Sequence, residues 1–313
     1  MAWENFFMNI LSISTLIENV KQKLQTKFHD EILCTQYAWW LIEAITGKKE
    51  ITLITTQEIK WSDDDQKELD EYLDNLINKD MPLQYLLGST PFAELDILCR
   101  PPVLIPRPET EEWCMNLIEQ LKPLRDQQLW ILDLCTGSGC IALALADPLP
   151  KAKVYGTDSA DSALALAQEN AAHNHIPNAT FLKSDLFGQI PKEFKFDLIV
   201  GNPPYIPQKD WATLDKSVSQ WEDKNALIAE DDGLALIKKI IESAPAYLKK
   251  NETRATLHIP QLMLEIDHTQ GKAVAEYMKQ HGYTHIKIHK DLEGKDRVAS
   301  GRVDNVAITQ SSV

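Results

Sequence analysis

From Gln128 onward, short apolar runs alternate with segments whose apolar residues recur at helical spacing. The runs predict strands near 129–134, 153–158, 179–183, 195–201, 255–266, 284–289 and 297–308. The amphipathic segments predict helices over 139–147, 160–174, 233–249 and 268–281. Strict alternation of the two implies a parallel sheet with helices on both faces. The last two strands are joined by a polar segment too short for a helix, so they form an antiparallel hairpin and the seven-stranded sheet is mixed at that edge.

The first part of the chain has a different texture. Residues 1–80 read as a small helical domain. Leu33, Tyr37, Trp40, Leu41 and Ala44 give one apolar face closed by Gly47, and Ser62 with Asp65 makes a capping box before Leu69, Tyr72, Leu73, Leu76 and Ile77. Residues 81–108 bring Pro, Gly and short alternations (Leu95, Ile97; Val103, Ile105) that predict a β-hairpin linker. Residues 109–313 then form the α/β domain. Pro108 suits the first position of a helix, with Glu109, Glu111 and Glu112 at its positive end and Arg107 an isolated cation beside them.

Composition removes several function classes. The 313 residues carry 44% hydrophobic and 25% charged side chains, a soluble profile, with a net charge of −14. That acidity opposes direct binding to a phosphate backbone. No run approaches the roughly 18 apolar residues of a membrane span, and no basic leader precedes an apolar core. The five cysteines form no CxxC pair, which fits reduced thiols in the cytoplasm. His173 with His175 and His285 with His289 have no further ligands to complete a metal set, so no metal is expected.

The chemistry concentrates at strand ends. Phe196-Asp197-Leu198-Ile199-Val200 reads as a buried strand, and Gly201 turns it into Asn202-Pro203-Pro204-Tyr205. Two prolines fix φ and supply no N–H donors, leaving the Pro203 carbonyl and the Asn202 amide to face a ligand. Beside an aromatic ring, such acceptors suit a planar –NH2 group, although the tetrapeptide alone is also compatible with an ordinary Pro-rich turn. Upstream, the strand ending in Asp133-Leu134 enters Cys135-Thr136-Gly137-Ser138-Gly139-Cys140, whose glycines admit close approach of a ligand. The next strand ends in Asp158, 19 residues past Gly139, where a carboxylate can accept both hydroxyls of a ribose. The loop also satisfies the weak dinucleotide fingerprint G-x-G-x-x-A. Asp133 opposes that reading, because an acid there repels a pyrophosphate and suits a cationic cofactor such as S-adenosylmethionine. Asp185, Leu186 and Phe187 offer a slot for adenine.

Taken in order, the segment Leu104 to Glu111, the glycine loop, Asp158, Asn202 to Pro207 and the ending Asp291 to Val298 resemble the HemK/PrmC family of release-factor glutamine N5-methyltransferases. The resemblance covers nearly the whole chain. It implies a class I S-adenosylmethionine-dependent methyltransferase, with a Rossmann-like fold, that methylates the glutamine of the GGQ loop in peptide chain release factors. The enzyme is expected to be a cytoplasmic monomer needing no nucleic acid or membrane. Cofactor contacts are implied for Asp133, Cys135, Thr136, Gly137, Ser138, Gly139, Asp158, Asp185, Leu186 and Asn202. Asn202, Pro203, Pro204 and Tyr205 are implied to hold the substrate and carry the reaction, with Phe92 and Arg107 near it. Alternatives are a ribosomal-protein glutamine methyltransferase, an N6-adenine DNA methyltransferase and a non-catalytic cofactor-binding scaffold. Three positions depart from the family pattern. Cys135 replaces a frequent glycine, which suits a backbone of negative φ; Trp221-Glu222-Asp223 replaces an acid–proline pair; and Lys250 to Pro260 lacks the usual glycine turn.

Overall fold

The computed structural model describes residues 9–250 and 259–303. They form two compact units: the residues up to Gly88 together with Lys216–Trp221, and the remainder from Ser89 onward. The hairpin expected as a linker thus groups with the second unit. The return of Lys216–Trp221 to the first unit has no signal in the sequence.

The first unit holds β1 (Asn9–Ser12), α1 (Ile13–Leu24), α2 (Glu31–Thr46), α3 (Glu50–Thr56), β2 (Glu58–Trp61), α4 (Asp63–Asn78) and α5 (Leu83–Leu87). Helix α4 starts with the expected capping box, Asp65 N–H donating to Ser62 Oγ at 3.1 Å and Ser62 N–H to Asp65 Oδ2 at 2.8 Å. Gly47 ends α2 in the left-handed region. The buried face of α2 is Cys34, Ala38, Leu41 and Ile42, so the face expected at Leu33, Tyr37 and Trp40 is rotated. Tyr37 and Trp40 pack half-buried at its margin, with ring centroids 6.0 Å apart. The purely helical expectation also fails, because β1 and β2 pair antiparallel.

In the second unit, β3 (Ser89–Phe92) pairs antiparallel with β4 (Leu95–Leu98) across a turn whose two residues, Ala93 and Glu94, both have positive φ. The expected alternation at Val103 and Ile105 is a loop, since Pro101, Pro102 and Pro106 remove the donors that a strand needs there. Helix α6 (Pro108–Leu121) follows, with Pro108 in its first turn as expected. Then come β5 (Trp130–Leu134), α7 (Cys140–Ala146), β6 (Lys153–Asp158), α8 (Asp161–His173), β7 (Ala179–Lys183), β8 (Leu198–Gly201) and β9 (Ile206–Pro207). After α9 (Lys216–Ser219), in the first unit, come β10 (Ile228–Ala229), α10 (Ala235–Ser243), β11 (Leu262–Glu265), α11 (Gly271–Gln280), β12 (Tyr283–Lys290) and β13 (Asp296–Val303).

Seven strands form one mixed sheet in the order β12-β13-β11-β8-β5-β6-β7, antiparallel only where β13 meets β11 and β12. Alternate strand residues feed two cores. Ile131, Leu198, Val200 and Met263 pack with α6, α7 and α8; Leu132, Leu134, Ile199, Leu262 and Leu264 pack with α10 and α11.

Several expected boundaries shift for local reasons. The helix expected over 233–249 stops at Ser243, and Pro245 lies in a single 3-10 turn, Ala244–Ala246, that follows. In the strand expected over 195–201, Phe196 makes only an isolated bridge to Leu248. The expected strand 255–266 is observed as Leu262–Glu265, and the helix over 268–281 begins at Gly271. Residues 255–258 and 304–308 of two expected strands lie outside the described residues.

Candidate active site

Register places the chemistry. Gly201 at the end of β8 stands opposite Leu134 of β5 on one side and Leu264 of β11 on the other. One step further along each strand, Cys135, Asn202 and Glu265 therefore lie abreast at the carboxyl edge, where open α/β sheets bind ligands. A side chain on Gly201 would put its Cβ 2.7 Å from the Leu134 carbonyl oxygen, so only glycine allows this approach.

The loop after β5 is held by its own polar groups. Thr136 N–H donates to the Thr157 carbonyl at 2.9 Å, and Gly137 N–H donates to Asp158 Oδ2 at 3.0 Å. Asn170 of α8 is fully buried; its amide donates to the Ser138 carbonyl at 2.9 Å, and its oxygen accepts from Leu98 N–H at 2.7 Å. Beneath the loop, the Thr136 hydroxyl donates to Asp133 Oδ2 at 2.6 Å while Asp133 Oδ1 has no hydrogen-bond partner. Burial lifts the Asp133 carboxyl to about 7, against the pull of Thr136 and the Ala142 N–H. Cys135 has φ 56, contrary to the negative φ expected there, and Leu186 has φ 47. Each carries left-handed strain of roughly 1–2 kcal/mol.

These segments enclose a cavity of about 350 Å³, within the range of small-molecule sites. Its wall brings together Cys135 and Gly137 from the loop after β5, Asp158 at the end of β6, Asp185 and Leu186 after β7, and Asn202 and Pro204 after β8. Val103 and Leu104 cover one side, and Asp223, Asn225 and Leu236 another. Among the described residues, three aspartates line it and no lysine or arginine does. Such a wall rejects a pyrophosphate and accepts a ribose-bearing cation. Of the other expected cofactor contacts, Asp133, Thr136, Ser138 and Gly139 shape the loop and do not line the cavity.

The tetrapeptide is rigidly held. Tyr205 O–H donates to Glu265 Oε1 at 3.1 Å, and the Tyr205 carbonyl accepts from Gln270 Nε2 at 3.0 Å. Burial and the Glu265 carboxylate push the Tyr205 phenol well above its ordinary range. The Asn202 side chain donates Nδ2–H to Thr110 Oγ1 at 3.3 Å, and among the described residues no donor reaches its Oδ1. Among the described residues, no backbone donor reaches the Pro203 carbonyl. Gly233 has φ +86, and a Cβ there would stand 2.0 Å from the Tyr205 carbonyl oxygen.

Two expected substrate contacts have structural partners of their own. Phe92 is 1% exposed and packs in the core with Leu95 and Trp113. Arg107 is not a free cation: its Nη2 donates to both oxygens of Glu222, at 2.8 and 2.6 Å, and Glu222 also accepts from Ile105 N–H at 3.4 Å. The glutamates after Arg107 serve other segments, Glu111 accepting from Ala93 N–H at 2.9 Å and Glu112 from Leu292 N–H at 3.1 Å. Thr110, Glu222 and Glu265 were not among the expected site residues. Glu265 had a faint signal, a lone acid closing the apolar run Leu262-Met263-Leu264.

Residues 114–220 match the methyltransferase small domain family, and residues 16–88 match the PrmC N-terminal domain. The release factor glutamine methyltransferase of Coxiella burnetii is 34% identical, over 94% of this chain and 99% of that protein. The enzyme of that name from Thermodesulfovibrio yellowstonii is 36% identical, over 86% of this chain and 89% of that one. The one from Fusobacterium nucleatum subsp. nucleatum is 37% identical, over 80% and 68%.

Proposed function

The chain belongs to the family of release factor glutamine methyltransferases, and on that premise we propose that its Asn202-Pro203-Pro204-Tyr205 turn holds the substrate glutamine at the mouth of the cofactor cavity. The enzyme is S-adenosylmethionine-dependent and methylates a release factor glutamine, which we read as the glutamine of the GGQ loop. The observation that carries the reading is the cavity that joins Asp158, Asp185 and Leu186 to Asn202, with no lysine or arginine in its wall among the described residues.

Asp158 is suited to the ribose hydroxyls. Its oxygens accept from Gly137 N–H and Ala160 N–H, both at 3.0 Å, and keep further lone pairs for a ligand. Leu186, with Val103 and Leu104, supplies the apolar walls for a base. When bound, S-adenosylmethionine supplies a methyl group on a positively charged sulfur.

A carboxamide nitrogen is a poor nucleophile because its lone pair is delocalised into the carbonyl. Asn202 Oδ1 and the Pro203 carbonyl would each accept one of its N–H bonds, fixing its orientation and stabilising the positive charge that develops on it. Two N–H acceptors reject an ester or acid in place of the amide, which leaves them unpaired. The Tyr205 ring would pack on the amide plane, anchored through its hydroxyl. No general base is required at the turn, since the methylated nitrogen can lose its proton to water.

We take the enzyme as a cytoplasmic monomer whose helical first unit docks the release factor. Among the described residues, no helix is long and apolar enough to cross a membrane. Asn202→Ala tests the assignment: turnover should be largely abolished while cofactor affinity, measured by calorimetry, weakens only moderately. Full activity in that variant would sink it.

A further inference from the structure

The carboxylate of Glu265 is 1% exposed at the end of β11, and above it serves only to anchor the Tyr205 hydroxyl. Strand alternation points it, like Met263, toward α6. There it accepts three hydrogen bonds: Trp113 Nε1–H at 2.8 Å and Thr110 O–H at 2.6 Å on Oε2, and Tyr205 O–H at 3.1 Å on Oε1. Burying a carboxylate costs several kcal/mol unless its lone pairs are engaged, and here every donor comes from the chain. The Arg297 charge acts on it as well, and Arg297 is itself held by Asp291 at 3.0 Å.

With Glu265 ionised, the directions of these bonds are forced. An indole N–H only donates, so Oε2 of Glu265 accepts from Trp113, and as a carboxylate it can only accept from Thr110 as well. The Thr110 hydroxyl has one proton, and at 2.6 Å it goes to the same Oε2. Only lone pairs of Thr110 then remain for Asn202, which must turn its NH2 group to Thr110 and its oxygen away. A reversed amide would set Oδ1 against the Thr110 oxygen, acceptor against acceptor.

We propose that Trp113, Glu265 and Thr110 form a positioning relay that decides which end of the Asn202 amide faces the substrate, so that Asn202 offers an acceptor and not a donor to the methyl-accepting nitrogen. The same carboxylate fixes the Tyr205 ring. The relay explains why Thr110 follows the rigid Pro106-Arg107-Pro108 segment: the first turn of α6 must bring its hydroxyl to the end of β8. This inference rests on Asn202 acting as the acceptor proposed above.

The test compares Thr110→Val with Thr110→Ser in the full-length enzyme, with a release factor as substrate and Asn202→Ala alongside. Valine keeps the shape and removes the hydroxyl; serine keeps the hydroxyl. The relay predicts that kcat falls roughly 10–100-fold in Thr110→Val. The KM for the release factor and the calorimetric Kd for S-adenosylhomocysteine should each stay within about threefold, and serine should recover most of the lost kcat. Should Thr110→Val not fold, Thr110→Ala against Thr110→Ser makes the same comparison. A kcat within tenfold of wild type without the hydroxyl overturns the relay, as does a serine variant no better than valine or a parallel loss of cofactor binding. An inactive Asn202→Ala beside a fully active Thr110→Val refutes the relay alone, whereas an active Asn202→Ala refutes the acceptor reading beneath it.

Discussion

Removing Arg107 separates two roles that its position allows, a substrate contact and a structural partner of Glu222. The Glu222 side chain has 0% exposure and Arg107 keeps 32%, so truncation to alanine strands a carboxylate in the interior. Breaking a buried pair from one side costs about 3–5 kcal/mol, and the partial hydration of Arg107 places the expected loss at the lower end, about 3 kcal/mol, at pH 8. The loss depends on pH. Burial already holds the Glu222 carboxyl above its ordinary 4.5 despite the opposing pull of Arg107. Without the cation the carboxyl rises further, so the variant keeps a proton that wild type releases. Its deficit relative to wild type therefore opens as pH climbs through the wild-type titration, and it is smallest near pH 4–5, where only hydrogen bonds worth roughly 1–2 kcal/mol are lost. Urea denaturation of Arg107→Ala, Glu222→Ala and the double variant at pH 5 and pH 8 reads these terms directly. The double variant should cost clearly less than the sum of the singles. Equal losses at both pH values, additive singles, or a raised release-factor KM with unchanged stability would refute the pairing and return Arg107 to the substrate.

Three further outcomes follow from the same geometry. Gly233→Ala should lower kcat more than tenfold in a methyl-transfer assay, because its Cβ would displace the Tyr205 carbonyl oxygen from 2.0 Å away. Asp158→Ala should weaken calorimetric cofactor binding by roughly tenfold or more and leave the release-factor KM nearly unchanged. For Asp133, burial raises the folded carboxyl from 3.8 to about 7, so its contribution is present below that window and is lost as pH rises through it. Stability should fall by about 1.4 kcal/mol per pH unit where only the folded state holds the proton, and Asp133→Asn should remove that slope from the urea midpoint.

Much of this was legible from local pattern. Strand β5 with its glycine loop, β6 with its terminal acid and the strand before Asn202 are continuous apolar runs ending in turn residues, and the sheet builds them as the alternation implies. What escaped was pairing over distance. Strand β2 is a four-residue alternation whose partner lies in Asn9–Ser12, and nothing local links the two. Glu222 and Arg107 stand 115 positions apart, and Glu265 and Thr110 155 apart, so the partner of each buried charge emerges only once the sheet register is set. The same holds for Cys135: the residue type argues for negative φ, yet the loop must turn sharply after Leu134, and the backbone accepts φ 56. Phe92 misled in the opposite way, since an aromatic residue near a hairpin turn serves the core as readily as a ligand.

The most direct measurement of the central claim locates the transferred methyl. The purified protein is incubated with S-adenosylmethionine labelled on its methyl group, together with release factor, ribosomal proteins and DNA, and the products are mapped by mass spectrometry. The account predicts one labelled methyl on the side-chain nitrogen of a single release-factor glutamine, absent with Asn202→Ala. Label on a ribosomal protein or on adenine, or cofactor binding with no transfer to any glutamine, would contradict it.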